Sequence, residues 1–215
     1  MRISLSLFLT TIIYFLFIPI AANCQQSQSF NLQQLLKEKK LELFSTTTSA
    51  LDDADKHGVS TDGIAWLKGI NFTKGTIEID LRGKDVQQQS FLGIAFHGID
   101  TTTHDVIYFR PFNFRSTDPV RKAHAVQYVS HPNFPWERLR KDSTGQYEKG
   151  IDPPPAAADW FHAKIVVSET DIKVYVNHAT TPSLTVNKLN NRKDGLIGLW
   201  DVDLPGDFAN LVITQ

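Results

Sequence analysis

From Thr76 onward the chain alternates apolar and polar residues with a period of two. TIEIDL sets Ile77, Ile79 and Leu81 on one face and Thr76, Glu78 and Asp80 on the other, the pattern of a strand with one buried face. FLGIAF (91–96) is apolar on both faces, which predicts a central strand. HDVIYFR (104–110), HAVQYVS (124–130), FHAKIVVS (161–168), DIKVYVN (171–177), LIGLW (196–200) and FANLVIT (208–214) continue the series. Turn residues separate them: Arg82-Gly83-Lys84-Asp85, Gly98-Ile99-Asp100, Asp194-Gly195 and Pro205-Gly206-Asp207. No amphipathic stretch of about ten residues lies between strands to act as a crossover helix. The pattern therefore predicts an all-β chain folded as an antiparallel two-sheet sandwich.

The ends of the chain set its limits. Met1-Arg2 gives a short positive start, Leu5 to Ile20 is an apolar run, and Ala21 and Ala22 follow, the layout of a secretory signal peptide. The run is shorter than the ~20 residues of a membrane span, and no second span follows. The expectation is a signal peptide over 1–24 and an exported chain, periplasmic or extracellular, with no membrane span once it is cleaved. Cys24, the single cysteine, follows Ala-Ala-Asn. That is a poor context for a lipid anchor, and cleavage after Ala22 or Cys24 suits the segment at least as well. One cysteine excludes an intrachain disulfide, so an exported chain must be held by its core.

Residues 25–59 begin with a polar run, Gln25 to Ser29, expected to be disordered. Leu32, Leu35 and Leu36 suit one or two helical turns. The segment is expected to complete a single domain whose body is 60–215. The formal net charge is −1, which offers no basic surface for nucleic acid. Asn71-Phe72-Thr73 matches a glycosylation sequon.

Two stretches break the strand pattern. YFRPFNF (108–114) carries Pro111, which has no N–H, so the strand must bulge, end or lie at an edge there. A bulge would turn Arg110 or Asn113 away from its regular face. Pro132 to Ala158 holds five prolines, Trp136 and the alternating charges ERLRK. A connection of that length inside a domain is uncommon and often functional.

The segments NFTKGTIEIDL (71–81), QSFLGIAFHG (89–98), YFRPFNF (108–114), HAVQYVSHPNFPWERLR (124–140), GQYE (145–148), and GLIGLW followed by GDFANL (195–211) carry a resemblance. The chain resembles a bacterial exported family of laminin-G-like, concanavalin A-like jelly-roll domains related to the 3-keto-disaccharide hydrolases, a group also called family 16 glycoside hydrolase-like. The resemblance covers residues 60 to 213. It implies a jelly roll with one sheet curved into a groove that faces carbohydrate. The Asn-Ser-Gly that the keto-sugar hydrolases carry before their arginine strand is replaced here by FLGIAFHG.

Within that frame the middle block supplies the candidate site. Arg110 offers a planar fork for a carboxylate or vicinal hydroxyls; it can equally form a buried ion pair with Glu78, Asp80 or Glu148. Asn113 and Gln127 both donate and accept, which suits hydroxyls. Tyr128 and Trp136 are candidate stacking platforms, and Arg140 a further contact. His131 and Glu148 are the candidate catalytic base residues, with Arg110 and Gln127 holding an enolate oxygen.

Ordinary glycoside hydrolysis needs two flanking carboxylates. Glu78 and Asp80 share a strand face, but the Glu-x-Asp-x-x-Glu strand of retaining jelly-roll enzymes ends here in Gly83. No metal site is expected, although Asp201, Asp203 and Asp207 would suit calcium. The expected function is carbohydrate engagement, either as a hydrolase acting on a glycoside such as a 3-keto sugar or as a non-catalytic binding module. A laminin-G-type protein-interaction domain is a third possibility.

Overall fold

The computed structural model describes residues 26–53 and 55–215. The expected signal peptide and Cys24 lie outside the described residues. In chain order the elements are β1 (Ser27–Phe30), α1 (Leu32–Lys37), β2 (Leu41–Phe44), β3 (Thr48–Ala50), β4 (Val59–Phe72), β5 (Gly75–Arg82), β6 (Ser90–Gly98) and β7 (Asp105–Phe109). A 3₁₀ turn (Pro111–Asn113) and α2 (Pro119–Lys122) follow, then β8 (Val126–Ser130), α3 (Trp136–Asp142) and β9 (Glu148–Lys149). The chain closes with β10 (Phe161–Val167), β11 (Asp171–Val176), β12 (Leu184–Asn187) and β13 (Gly195–Thr214). Ser27–Ser29, part of the run expected to be disordered, instead belongs to β1, which pairs with Leu211–Thr214. Its backbone groups find partners on an otherwise open strand edge.

Every strand pair is antiparallel, and the strands form two leaves. One runs β12-β11-β10-β5 and then the C-terminal half of β13; the other runs from the N-terminal half of β13 through β6, β7 and β8 to β9. β4 flanks β13 along most of its length. The sequence pattern predicts two final strands, 196–200 and 208–214. The structure joins them into one strand that passes from leaf to leaf. Its pairing with β4 slips between Asp201 and Gly206, so Pro205, with no N–H to donate, sits inside an irregularity rather than a ladder. Gly206 leaves room there: a Cβ would stand 2.4 Å from Asp201 Oδ2 and force that side chain to shift.

The alternation in β5 has its expected cause. Ile77, Ile79 and Leu81 are fully buried between the leaves, while Glu78 and Asp80 face outward. β6 is buried along nearly its whole length, as its two apolar faces require. Across the core, Phe161 of β10 meets Phe109 of β7 and Phe114 edge-on, at ring-centroid distances of 5.0 and 5.2 Å. This packing anchors the 3₁₀ turn to the opposite leaf. The result is an antiparallel two-sheet jelly-roll sandwich. Among the described residues, no helix is long and apolar enough to cross a membrane.

Candidate functional site

β7 ends at Phe109, and Pro111 opens the 3₁₀ turn with Arg110 as its cap. The proline therefore ends the strand. Arg110 still follows the alternation of β7, so Val106, Tyr108 and Arg110 project to the outer face, away from the core residues Ile107 and Phe109. Register continues the row across three strands: Tyr108 pairs with Gln127, and Gln127 pairs with Glu148. Over this row lies a cavity of about 600 Å³.

Tyr108 and Arg110 form its floor, and the walls come from several elements. β6 gives Phe91; β13 gives Trp200, Val202 and Asp203; the 3₁₀ turn gives Phe112 and Asn113; α2 and the chain after it give Arg121 and His124; α3 gives Trp136 and Arg140. Val129 near the end of β8 and His131 just after it add to the wall, as do Gln87 and Gln88 before β6. Trp200, Tyr108, Phe91 and Phe112 form one connected run of rings. Trp200 and Tyr108 are 5.2 Å apart by centroid, Phe91 and Phe112 5.4 Å, and the Arg140 guanidinium lies 4.9 Å from the Trp136 ring. Trp136 is 43% exposed, so part of its ring remains accessible.

Beneath the cavity the polar groups hold one another. Arg140 grips Glu148 in two places, Nε to Oε1 at 3.0 Å and Nη2 to Oε2 at 2.8 Å. His124 Nδ1 stands 2.7 Å from the same Oε2. Arg110 donates to the Tyr108 hydroxyl, to Gln127 Oε1 and to the His124 carbonyl, and its ring contact with Tyr108 is 4.7 Å. Tyr108 in turn donates to Gln127 Oε1 at 2.7 Å. Asn113 Nδ2 donates to the His124 carbonyl at 3.0 Å.

Burial raises the cost of ionising Glu148. The hydrogen bonds and charge of Arg140, with His124 and Arg110 behind it, outweigh that cost and hold the carboxyl below its ordinary range. Burial lowers the pKa of His131 and His124, so both imidazoles are neutral at pH 7. Burial also pushes Tyr108 up to about 12.

Of the residues expected from the sequence, Arg110, Asn113, His131, Trp136 and Arg140 meet on this cavity. Three do not. Tyr128 is adjacent to Gln127 on β8 and so points to the opposite face. It is fully buried in the core, where its hydroxyl donates to Asp105 at 3.1 Å. Glu148 is 3% exposed and wholly engaged by cations; a carboxylate so stabilised and so enclosed is a poor general base. Gln127 lies under the wall and orients Arg110 and Tyr108.

The sequence reading did not place Phe91, Phe112, Arg121 or Trp200 at the site. For Trp200 a signal existed: it and Val202 share a face of β13 by alternation. Nothing in the sequence said which face looks outward.

Glu78 and Asp80 are also remote from the cavity, on the outer face of the other leaf. His162 bridges them, at 2.9 Å to Asp80 and 3.2 Å to Glu78. Burial opposes ionisation of Asp80, but hydrogen bonds from His162, Asn210 and Lys56 keep its pKa well below the usual range.

The three aspartates considered for calcium do not form a cage. Asp207 pairs with Arg82 at 2.8 Å. Asp201 points inward and is 1% exposed, with neither oxygen hydrogen-bonded. Among the described residues, no group of three or more ligating side chains could hold a metal ion. Burial, reinforced by Asp62, Asp203 and Asp207, pushes Asp201 up to about 9. The folded state thus keeps a proton that the unfolded chain releases near pH 4, and stability drains away as pH rises from about 4 to 9. Asp201→Asn is expected to raise stability by about 2 kcal/mol near pH 7. Urea unfolding at pH 4 and pH 7 checks this: the gain should appear only at the higher pH.

Neither a protein-family model nor a curated protein matches the sequence. Comparison of folds is informative. A Bacillus subtilis protein of unknown function with a galectin-like fold superposes with a TM-score of 0.59 at 13% identity, covering 86% of this chain and 94% of that one. The carbohydrate-binding module CBM66 from Bacillus subtilis superposes with a TM-score of 0.54 at 14% identity, covering 79% and 93%. The fold is concanavalin A-like. At these identities the likeness is one of architecture, and the chemistry rests on the cavity itself.

Proposed function

We propose that the protein is an exported carbohydrate-binding module whose ligand occupies the cavity beside Trp136 and Trp200. The observation that carries this reading is the lining: aromatic faces set among guanidinium, amide and imidazole groups, around a cavity of about 600 Å³. Sugar rings stack their C–H faces on aromatics while their hydroxyls need directional polar partners. The likeness of fold to a carbohydrate-binding module and to a protein with a galectin-like fold supports the reading. Export rests on the leader-like sequence of residues 1–24.

The cavity wall has one carboxylate among the described residues, Asp203. A glycoside hydrolase of the two-carboxylate type needs a second, facing the first across the bond. This favours binding over hydrolysis. A keto-sugar hydrolase is the second reading, and it rests on His131. That imidazole lines the cavity, is neutral at pH 7, and would take the proton beside a ketone.

Calorimetry with a panel of neutral and acidic oligosaccharides tests the first reading. Trp136→Ala is expected to weaken binding roughly tenfold, since a stacked ring contributes on the order of 1 kcal/mol. Folding should be unaffected because the side chain is exposed. Unchanged affinity would remove the cavity from consideration. For the second reading, His131→Gln should abolish turnover of a 3-keto disaccharide and leave binding intact; absence of product with the unaltered protein defeats it.

A further inference from the structure

The charges under the cavity do not balance. Arg110 and Arg140 share one carboxylate, and Glu148 is already engaged by Arg140 through both oxygens. Arg110 Nη1 is 3.6 Å from Glu148 Oε2, too long for a hydrogen bond, and its side chain is 6% exposed. Its other partners are neutral: a phenol, an amide oxygen and a backbone carbonyl. Such dipoles solvate a guanidinium but add no negative charge, so two arginines share one anion and one positive charge is left over in a largely buried place, which is costly. Burial lowers the pKa of Arg110, in keeping with a cation short of a counter-ion.

This excess charge adjoins open space, because Arg110 and Arg140 both line the cavity. Arg121 adds a third guanidinium at the wall; its own nearest acid, Asp118, lies at 3.7 Å in a half-exposed pair. The wall's carboxylate, Asp203, comes from β13, a different element from the three arginines. A guanidinium fork matches a carboxylate or sulfate in two places, and the match is stronger than any made with a neutral hydroxyl.

On the reading that the cavity holds carbohydrate, we infer that its ligand is an acidic saccharide, whose carboxylate or sulfate group sits against Arg110 and Arg140 while the sugar ring lies on Trp136 or Trp200. The anion supplies the missing counter-charge, and the aromatic faces supply contact that does not depend on charge. Glu148 holds Arg140 in place from below and leaves Arg110 for the ligand.

The test is calorimetry on matched disaccharides built on glucose, galactose and mannose. Each is taken in a neutral form, in a form with one uronic acid, and in a sulfated form. At low salt at least one acidic form is expected to bind about tenfold or more tightly than its neutral partner. That advantage should shrink in about 0.5 M sodium chloride. The tighter of the uronate and sulfate arms identifies the anion. Arg110→Gln is expected to remove most of the advantage of the acidic forms over their neutral partners. Arg121→Ala, on an exposed side chain that folding does not require, should lower acidic affinity about threefold. Equal binding of neutral and acidic forms overturns the inference while leaving the carbohydrate reading in place. Binding of no form in the set overturns both.

Discussion

Glu148→Ala is expected to cost about 3–5 kcal/mol of folding stability, the scale for removing one partner of a buried ion pair. Glu148 is almost inaccessible, and it is the carboxylate that Arg140, Arg110 and His124 converge upon. Its removal would leave two guanidiniums close together, one of them buried, with no anion between them. The loss should therefore exceed anything expected from the area of the side chain. A second substitution separates charge from packing: Glu148→Leu with Arg140→Leu should recover a large part of the loss, because it removes a cation along with the anion.

The pH dependence follows the same logic. The folded pKa of Glu148 lies below the unfolded one. Its contribution is thus complete above the ordinary carboxylate range and is lost as pH falls through the folded value. Urea unfolding of the three proteins between pH 3 and 7 would measure both effects. Single and double variants of equal stability would contradict this role for Glu148.

Asp105→Ala is expected to have an effect of similar size, about 3–5 kcal/mol, at a different place. Asp105 is fully buried at the start of β7. It accepts hydrogen bonds from Tyr128 at 3.1 Å, Asn190 at 2.6 Å and Arg192 at 2.7 Å, and His97 Nδ1 lies 3.2 Å away. Burial opposes its ionisation, but His97 and Arg192 outweigh that and lower its pKa. This cluster ties the loop after β12 to β7 and β8. The loop leads directly into β13, which carries Trp200, so its release should also loosen the cavity wall. Hydrogen exchange would show the two consequences together: lower global stability, and faster exchange from Asn190 to Trp200 than elsewhere. Uniform acceleration across the chain would speak against a local clamp.

The sheet pattern was legible in the sequence wherever a strand has one wet face. Ile77, Ile79 and Leu81 announce β5 because the solvent side is polar. The same alternation explains the errors. Gln127 and Tyr128 were both read as ligand contacts, yet neighbours on a strand face opposite ways, so at most one of them lies on the cavity side. Tyr128 entered the core because its hydroxyl finds Asp105, which the sequence places 23 residues away.

The interruption beside Arg110 was legible for a local reason: Pro111 must make the strand bulge, end or lie at an edge, and in the structure it ends the strand while Arg110 keeps its regular face. Arg140 and Trp136 were each legible as candidate contacts in an unusually long connection; that one short helix, α3, carries both is seen only in the structure. Their union with Phe91 and Trp200 was not legible, since those residues reach the site through strand order rather than through any spacing along the chain. Glu148 illustrates a further limit. A glutamate amid histidines and arginines has the residue types of a general base, and only the distances show that its oxygens are occupied.

The cavity assignment is tested most directly by the indole N–H signals of the four tryptophans during titration with a bound oligosaccharide. Trp136 and Trp200 line the cavity, Trp66 is buried in the core, and Trp160 packs beside Lys56 and Arg82, near the remote His162 cluster. Binding in the cavity should shift the signals of Trp136 and Trp200 and leave those of Trp66 and Trp160 in place. A titration that moves Trp160 alone, or moves neither Trp136 nor Trp200, would contradict it.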